Sequence, residues 1–225
     1  MRDLTRRQFV YAASVLAGFT ASLLLPGGRT LSAGKAQAAG VDFLESSCNS
    51  GDRAGKKILV AYASRCGTTG GVAEAMGRTL CGSGFDVDIC LAKHAGDVSP
   101  YCAVVLGSAI HRASWLPEAI EFARKNREPL SRVPVAYFLT CLALHEETEE
   151  SRKLAKSYME PVLKAVPEVR PVDSGLFAGV LDYSNMDALS RMAMKVMGKG
   201  VPEGDFRNWR GIASWAKGLA GTLRS

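Results

Sequence analysis

The sequence predicts an α/β domain in which a parallel sheet is covered by helices on both faces. Three observations predict it. Short apolar runs alternate with amphipathic helical stretches from Lys57 onward. Several of these runs are apolar on both faces of the would-be strand, the pattern of a sheet buried on either side. A hydroxyl- and glycine-bearing turn joins the first run to the first helix.

The elements follow in order. Residues 58–62 (Ile-Leu-Val-Ala-Tyr) form the first strand. Residues 69–80 form a helix with Val72, Ala73, Met76 and Leu80 on one stripe, ended by Gly82 and Gly84. Residues 85–91 alternate as a strand, and 103–107 make a second buried one. A helix over 116–124 is introduced by Pro117 in its first turn. Residues 134–139 are the fourth strand. A strongly charged helix spans 146–164, with Leu154, Tyr158 and Val162 facing inward. Residues 176–181 read as the fifth strand. A Met-rich helix then covers 184–197, with Ser184 as cap and Asp187 in the first turn. A Gly- and Pro-marked loop at 198–205 leads to a closing helix at 209–223. There is no internal repeat, and 57–225 reads as one domain preceded by a polar linker at 39–56.

Charge and length sharpen this picture. The 225 residues are 47% hydrophobic and 22% charged, a globular composition. The net charge of +6 sits largely at the start: residues 1–38 hold five basic residues and one acid, leaving 23 basic against 21 acidic residues in the rest. No basic stripe interleaved with aromatics is present, so nucleic acid is not expected as a partner. The start itself carries Thr5-Arg6-Arg7-Gln8-Phe9-Val10, which resembles the twin-arginine export motif. An uncharged apolar run at 10–25 follows, then Pro26-Gly27-Gly28, and Ala36-Gln37-Ala38 supplies small residues for a signal peptidase. Residues 1–38 are therefore expected to be a signal peptide, handled by the twin-arginine translocase, with the periplasm or the outer face of the cytoplasmic membrane as destination. The other reading is an uncut anchor, against which the run falls short of the ~20 residues that span a bilayer.

Six cysteines (48, 66, 81, 90, 102 and 141) include no Cys-x-x-Cys pair, so no metal site is expected. Disulfides among them are open in pairing. Cys81, Cys90 and Cys102 are expected instead as small buried hydrophobes.

The chemistry concentrates in Ser64-Arg65-Cys66-Gly67-Thr68-Thr69, between the first strand and first helix. A helix start presents unpaired N–H groups and partial positive charge, and a glycine lets the backbone wrap an anion. Hydroxyls add neutral donors. The combination points to a phosphate monoester or sulfate, with a plain capped turn as the alternative. It is neither a Walker loop nor a Gly-x-Gly-x-x-Gly fingerprint.

Residues 60–76, with Tyr62, Ser64, Gly67, Thr69 and Ala73 at matching spacing, resemble the flavodoxin signature, from which Ala61 and Met76 depart mildly. The resemblance implies a flavodoxin-like doubly wound fold, five parallel strands in order 2-1-3-4-5, with FMN as cofactor and its phosphate held by Ser64–Thr69. Two further loops would reach the flavin ring beyond the carboxyl ends of the strands. One is Ser108, Ala109, Ile110, His111, Arg112 and Ala113; the other is Thr140, Cys141, Leu142 and Ala143. His111 or Arg112 would place positive charge near the ring, and His111 and His145 are the candidate acid–base groups. Trp115 either stacks on the ring or packs the next helix.

Phe177-Ala178-Gly179-Val180-Leu181-Asp182-Tyr183, the Met-rich helix and Gly204-Asp205-Phe206-Arg207-Asn208-Trp209 are similar to the menaquinone-dependent protoporphyrinogen oxidases of the flavodoxin superfamily. That resemblance implies an FMN oxidoreductase passing electrons from a reduced, protoporphyrinogen-like donor to a quinone. A signal peptide is a departure from it, because porphyrinogen oxidation accompanies haem synthesis inside the cell. The alternatives are a non-enzymatic electron carrier docking a redox partner protein, and a flavin-free binding module. Met186, Leu189, Ala193, Val196 and Met197, with Arg191, Lys195 and Lys199, suit either a core stripe or a membrane-surface helix.

Overall fold

Alternation along the central strands decides which helices cover which face. A computed structural model describes residues 43–50, 56–184, 191–192 and 201–224. Its sheet is built from β1 (Ser46–Cys48), β2 (Lys57–Ala63), β3 (Asp86–Leu91), β4 (Ala103–His111), β6 (Val135–Cys141) and β7 (Asp173–Ala178), in the order β1-β3-β2-β4-β6-β7. A short β5 (Ser114–Trp115) turns back antiparallel on β4. The five long strands pair in parallel and reproduce the expected 2-1-3-4-5 order, with helices on both faces.

On β2, Ile58, Val60 and Tyr62 point to one side. There they meet α1 (Thr68–Cys81) and α6 (Trp209–Thr222) through Val72, Met76, Leu80, Ile212, Ala216 and Leu219. Leu59, Ala61 and Ala63 point to the other side. They join the cluster built with α2 (Pro117–Lys125), α3 (Arg127–Leu130), α4 (Glu149–Ser157) and α5 (Glu160–Ala165). Gly77 lets α1 lie close to the sheet, since a Cβ there would meet Ile89 at 2.5 Å. Among the described residues no helix is long and apolar enough to cross a membrane.

Several elements differ from the sequence expectation. The helix expected over 146–164 is two helices, because Pro161 in the first turn of α5 cannot donate its missing N–H and crowds the preceding turn. The fifth strand starts earlier and ends at Ala178. Gly179 then diverts the chain, and Val180–Leu181 (β8) pairs antiparallel with Gly204–Asp205 (β9) in a separate ribbon. The stretch expected as linker contributes β1, which adds an antiparallel edge strand to β3. The 1–38 leader and most of the Met-rich helix lie outside the described residues.

The cysteine expectation is corrected at two positions, and Cys90 is half-buried against the core rather than within it. Cys81 is joined to Cys48 in a disulfide that ties β1 to the end of α1, and Cys102 is exposed rather than buried. Further contacts seat this edge. The Tyr62 hydroxyl donates to the Leu44 carbonyl at 2.9 Å, and Glu45 accepts from the Leu91 N–H at 3.0 Å. The Leu91 N–H first, and then His94, whose Nδ1 lies 2.9 Å from Glu45 Oε1, hold the Glu45 carboxyl below its ordinary range.

Candidate functional site

Parallel pairing brings the carboxyl ends of β2, β4, β6 and β7 to one edge of the sheet. The order reverses beside β2, so this is the switch point where such sheets bind ligands. All the candidate loops meet at that edge.

The loop after β2 is shaped for an anion. Gly67 takes a left-handed conformation (φ 75°), and its carbonyl accepts from the Gly70 N–H at 2.9 Å, turning the chain directly into α1. No side chain caps the helix start, and no acid lies in its first turn. The Ser64 hydroxyl is buried without a protein partner, an arrangement that invites a ligand acceptor. Arg65 is exposed; Cys66, Gly67 and Thr68 are half-buried. Thr69 is placed differently: fully buried, its hydroxyl lies 2.9 Å from that of Thr140. These two hydroxyls satisfy each other and lock α1 to β6. Beneath them Tyr62 fills the space under Gly70, where a Cβ would meet its hydroxyl at 2.8 Å. Burial pushes the Tyr62 phenol up to about 12.

The loop after β4 is a tight hairpin. Ile110 pairs with Trp115 and His111 with Ser114, leaving Arg112 (φ 52°) and Ala113 (φ 59°) as the two turn residues. Consecutive positive φ values match the twist of flanking strands but are strained for non-glycine residues. Ser108 anchors the hairpin: buried, its hydroxyl accepts from the Leu116 N–H at 2.9 Å and donates to the Ala109 carbonyl at 2.8 Å. Ala109 and Ile110 are half-buried beside it. Trp115 is 2% exposed and meets Tyr137 edge-on at 5.4 Å, so its ring belongs to the core and offers no stacking face.

His111 is exposed at the hairpin. Desolvation first, then Arg65 and Arg112, push its imidazole below 6.5. It is therefore neutral at neutral pH, and the positive charge expected there comes from the two arginines. Among the described residues neither arginine enters an ion pair.

After β6, Cys141 is buried and its thiol is pushed up to about 11 by desolvation, which makes it unreactive near neutrality. Leu142–Leu144 form one 3-10 turn with Leu142 and Ala143 half-buried. The His145 Nδ1 lies 3.0 Å from the Leu142 carbonyl.

A fourth segment reaches the same edge and was not among the expected site residues. Phe206 meets His145 edge-on at 5.8 Å, and its N–H donates to the Gly179 carbonyl at 3.2 Å. Arg207 donates to the Thr68 carbonyl at 3.2 Å. The signal available in sequence was Asp205-Phe206-Arg207-Asn208-Trp209, an acid, a guanidinium and an aromatic at two-residue spacing.

A shallow groove of about 440 Å³ lies elsewhere, at the β1–β3 edge, lined among others by Glu45, Asp88, Cys90, His94 and Tyr101. Its charges are already matched. Burial disfavours the Asp88 carboxylate, but hydrogen bonds from Lys57, Tyr101 and Ser47 outweigh this and hold it low. Burial pushes the Cys90 thiol up to about 11. No cluster of metal-ligating side chains occurs among the described residues.

The family model described as Flavodoxin domain matches residues 59–206, more than half of the chain. No curated protein matches it. Among solved structures, a short-chain flavodoxin associated with a non-canonical PDU bacterial microcompartment is similar at 10% identity. The match covers 74% of this chain and 98% of that one, with a TM-score of 0.48. Flavodoxin 2 from Bacillus cereus is similar at 18% identity, over 75% and 99% of the chains, with a TM-score of 0.46. A flavodoxin from the domain Archaea gives 15% identity, 75% and 99% coverage, and a TM-score of 0.43.

Proposed function

We propose that this chain, which belongs to the flavodoxin domain family, is an exported FMN-dependent oxidoreductase passing electrons from a reduced organic donor to a quinone-type acceptor. FMN is the cofactor of this domain, and the residues present fit it. The observation that carries the reading is the buried, unpartnered Ser64 hydroxyl beside an uncapped helix start at the switch point. Ser64, the Gly67 turn and the first amides of α1 would hold the phosphate, with Arg65 adding charge at the rim. When bound, FMN supplies the one- and two-electron chemistry. Thr69 and Thr140 keep the loop in place from below, and the 108–113 hairpin and the 140–145 turn would flank the ring.

Export is supported from two separate parts of the chain. One is the twin-arginine-like leader. The other is the Cys48–Cys81 disulfide, a bond that persists in oxidising compartments. A protoporphyrinogen-like donor and a membrane quinone are proposed from the resemblance of the C-terminal third. Catalysis is favoured over simple electron carriage by charge: beyond the leader, 23 basic residues face 21 acidic ones, whereas small electron-carrying flavodoxins are strongly acidic for docking to redox partners.

The test is an anaerobic assay of the FMN-loaded protein with a porphyrinogen donor and excess soluble menaquinone analogue. The reading expects many turnovers per flavin. Exchange limited to one flavin's worth of electrons would replace it with an electron carrier.

A further inference from the structure

The 204–209 segment makes contacts that a connecting loop does not need. The Arg207 guanidinium faces the Asp205 carboxylate two-pronged, Nε to Oδ1 at 2.8 Å and Nη2 to Oδ2 at 2.6 Å. Its third nitrogen donates to the Thr68 carbonyl at 3.2 Å, and the group lies 4.3 Å over the Trp209 ring. Gly71 forms the floor of this socket, since a Cβ there would meet Nη1 at 2.9 Å. The side chain is only 17% exposed although it carries a charge. Asp205, held low chiefly by the Arg207 hydrogen bond, is ionised to balance it. A lysine has neither the planar fork nor the flat face this socket requires.

What the socket holds together is the site. Thr68 opens α1, so its carbonyl belongs to the turn whose amides face the anion position. One residue before Arg207, Phe206 hydrogen-bonds Gly179 and sets its ring against His145. Gly179 in turn donates to the Cys141 carbonyl at 3.1 Å. The segment thus joins the helix after β2 to the carboxyl ends of β6 and β7.

We propose that Arg207 is a positioning residue of the cofactor site, fastening the 204–209 strap to the first turn of α1 and so seating Phe206 beside His145 as one side of the flavin cleft. The proposal rests on the FMN reading above. Its distinctive content is that the guanidinium charge is spent on Asp205, not on the cofactor phosphate. Loss of Arg207 therefore weakens FMN and riboflavin alike.

The experiment compares wild type with Arg207→Met, Arg207→Lys and Gly71→Ala. Fluorescence-quenching titrations with FMN and with riboflavin are paired with amide hydrogen exchange at Gly179 and Phe206 without flavin. Losing a hydrogen bond from a charged group at this edge is expected to weaken both flavins by roughly tenfold or more and by the same factor. The two amides lose protection together, and lysine restores little. Gly71→Ala displaces the guanidinium without removing its charge, and a helix tolerates alanine better than glycine. It is expected to reproduce the loss with no fall in melting temperature. Weakening of FMN alone would overturn the proposal in favour of direct phosphate contact. Unchanged affinities for both flavins would overturn it as well, whatever the exchange rates. If wild type binds neither flavin, the FMN reading fails and the cofactor role of Arg207 with it, while the exchange arm still reports whether the strap is clamped.

Discussion

Removing the Cys48–Cys81 crosslink gives the most quantitative prediction. The two cysteines are 33 residues apart and connect the edge strand β1 to the C-terminal turn of α1. Closing a loop of that length in the unfolded chain is worth about 3.7 kcal/mol at 25 °C by chain entropy. For a domain of this size one kcal/mol moves the melting temperature by about 2–4 °C, so the double variant Cys48→Ala/Cys81→Ala should melt roughly 7–15 °C below wild type. The β1–β3 pairing, the Tyr62–Leu44 bond and the Glu45–Leu91 bond remain, so the variant still folds. Differential scanning calorimetry of oxidised wild type, reduced wild type and the double variant measures the effect. Alkylation under denaturing, non-reducing conditions should label only Cys66, Cys90, Cys102 and Cys141 in the oxidised protein. A melting shift under about 2 °C, with the crosslink verified by mass, would refute the view that this bond tethers the edge of the domain.

Three other outcomes are expected. Thr140→Val strands the buried Thr69 hydroxyl and should cost about 1–3 kcal/mol in urea unfolding, whereas adding Thr69→Val recovers most of it because both partners are then apolar. Ser64→Ala should weaken FMN by up to roughly a hundredfold while leaving riboflavin nearly unaffected, in parallel titrations. His111 should titrate below 6.5 by NMR, and Arg65→Gln should raise it. Since its folded pKa is depressed, stability is full above 6.5 and falls as pH drops through the folded value, where the unfolded chain binds the proton first.

Much of this was legible in the residues. Strands β2, β4 and β6 announce themselves as apolar runs, and Val72, Met76 and Leu80 declare the buried stripe of α1. The glycine expected to let the backbone wrap at the start of α1 is Gly67, which takes the left-handed conformation. The placement of Thr69 was not legible, because a hydroxyl facing a ligand and one facing Thr140 look identical in sequence. Trp115 shares that ambiguity, and its burial against Tyr137 emerges only when β5 folds back on β4. Pro161 did mark the break between α4 and α5, within a run whose charge pattern continued through it. The Cys48–Cys81 pairing and the Arg207–Thr68 contact are long-range, across 33 residues in one case and 139 in the other, and no local pattern encodes either.

The Ser64–Thr69 loop is proposed to hold the phosphate of FMN. The direct measurement is the visible spectrum of the purified protein, then titrations with FMN and riboflavin and reduction with dithionite. The expected result is a flavin spectrum that bleaches on reduction, one FMN per chain, and much weaker binding of riboflavin. A protein that stays colourless with FMN, or binds riboflavin as tightly, would contradict it.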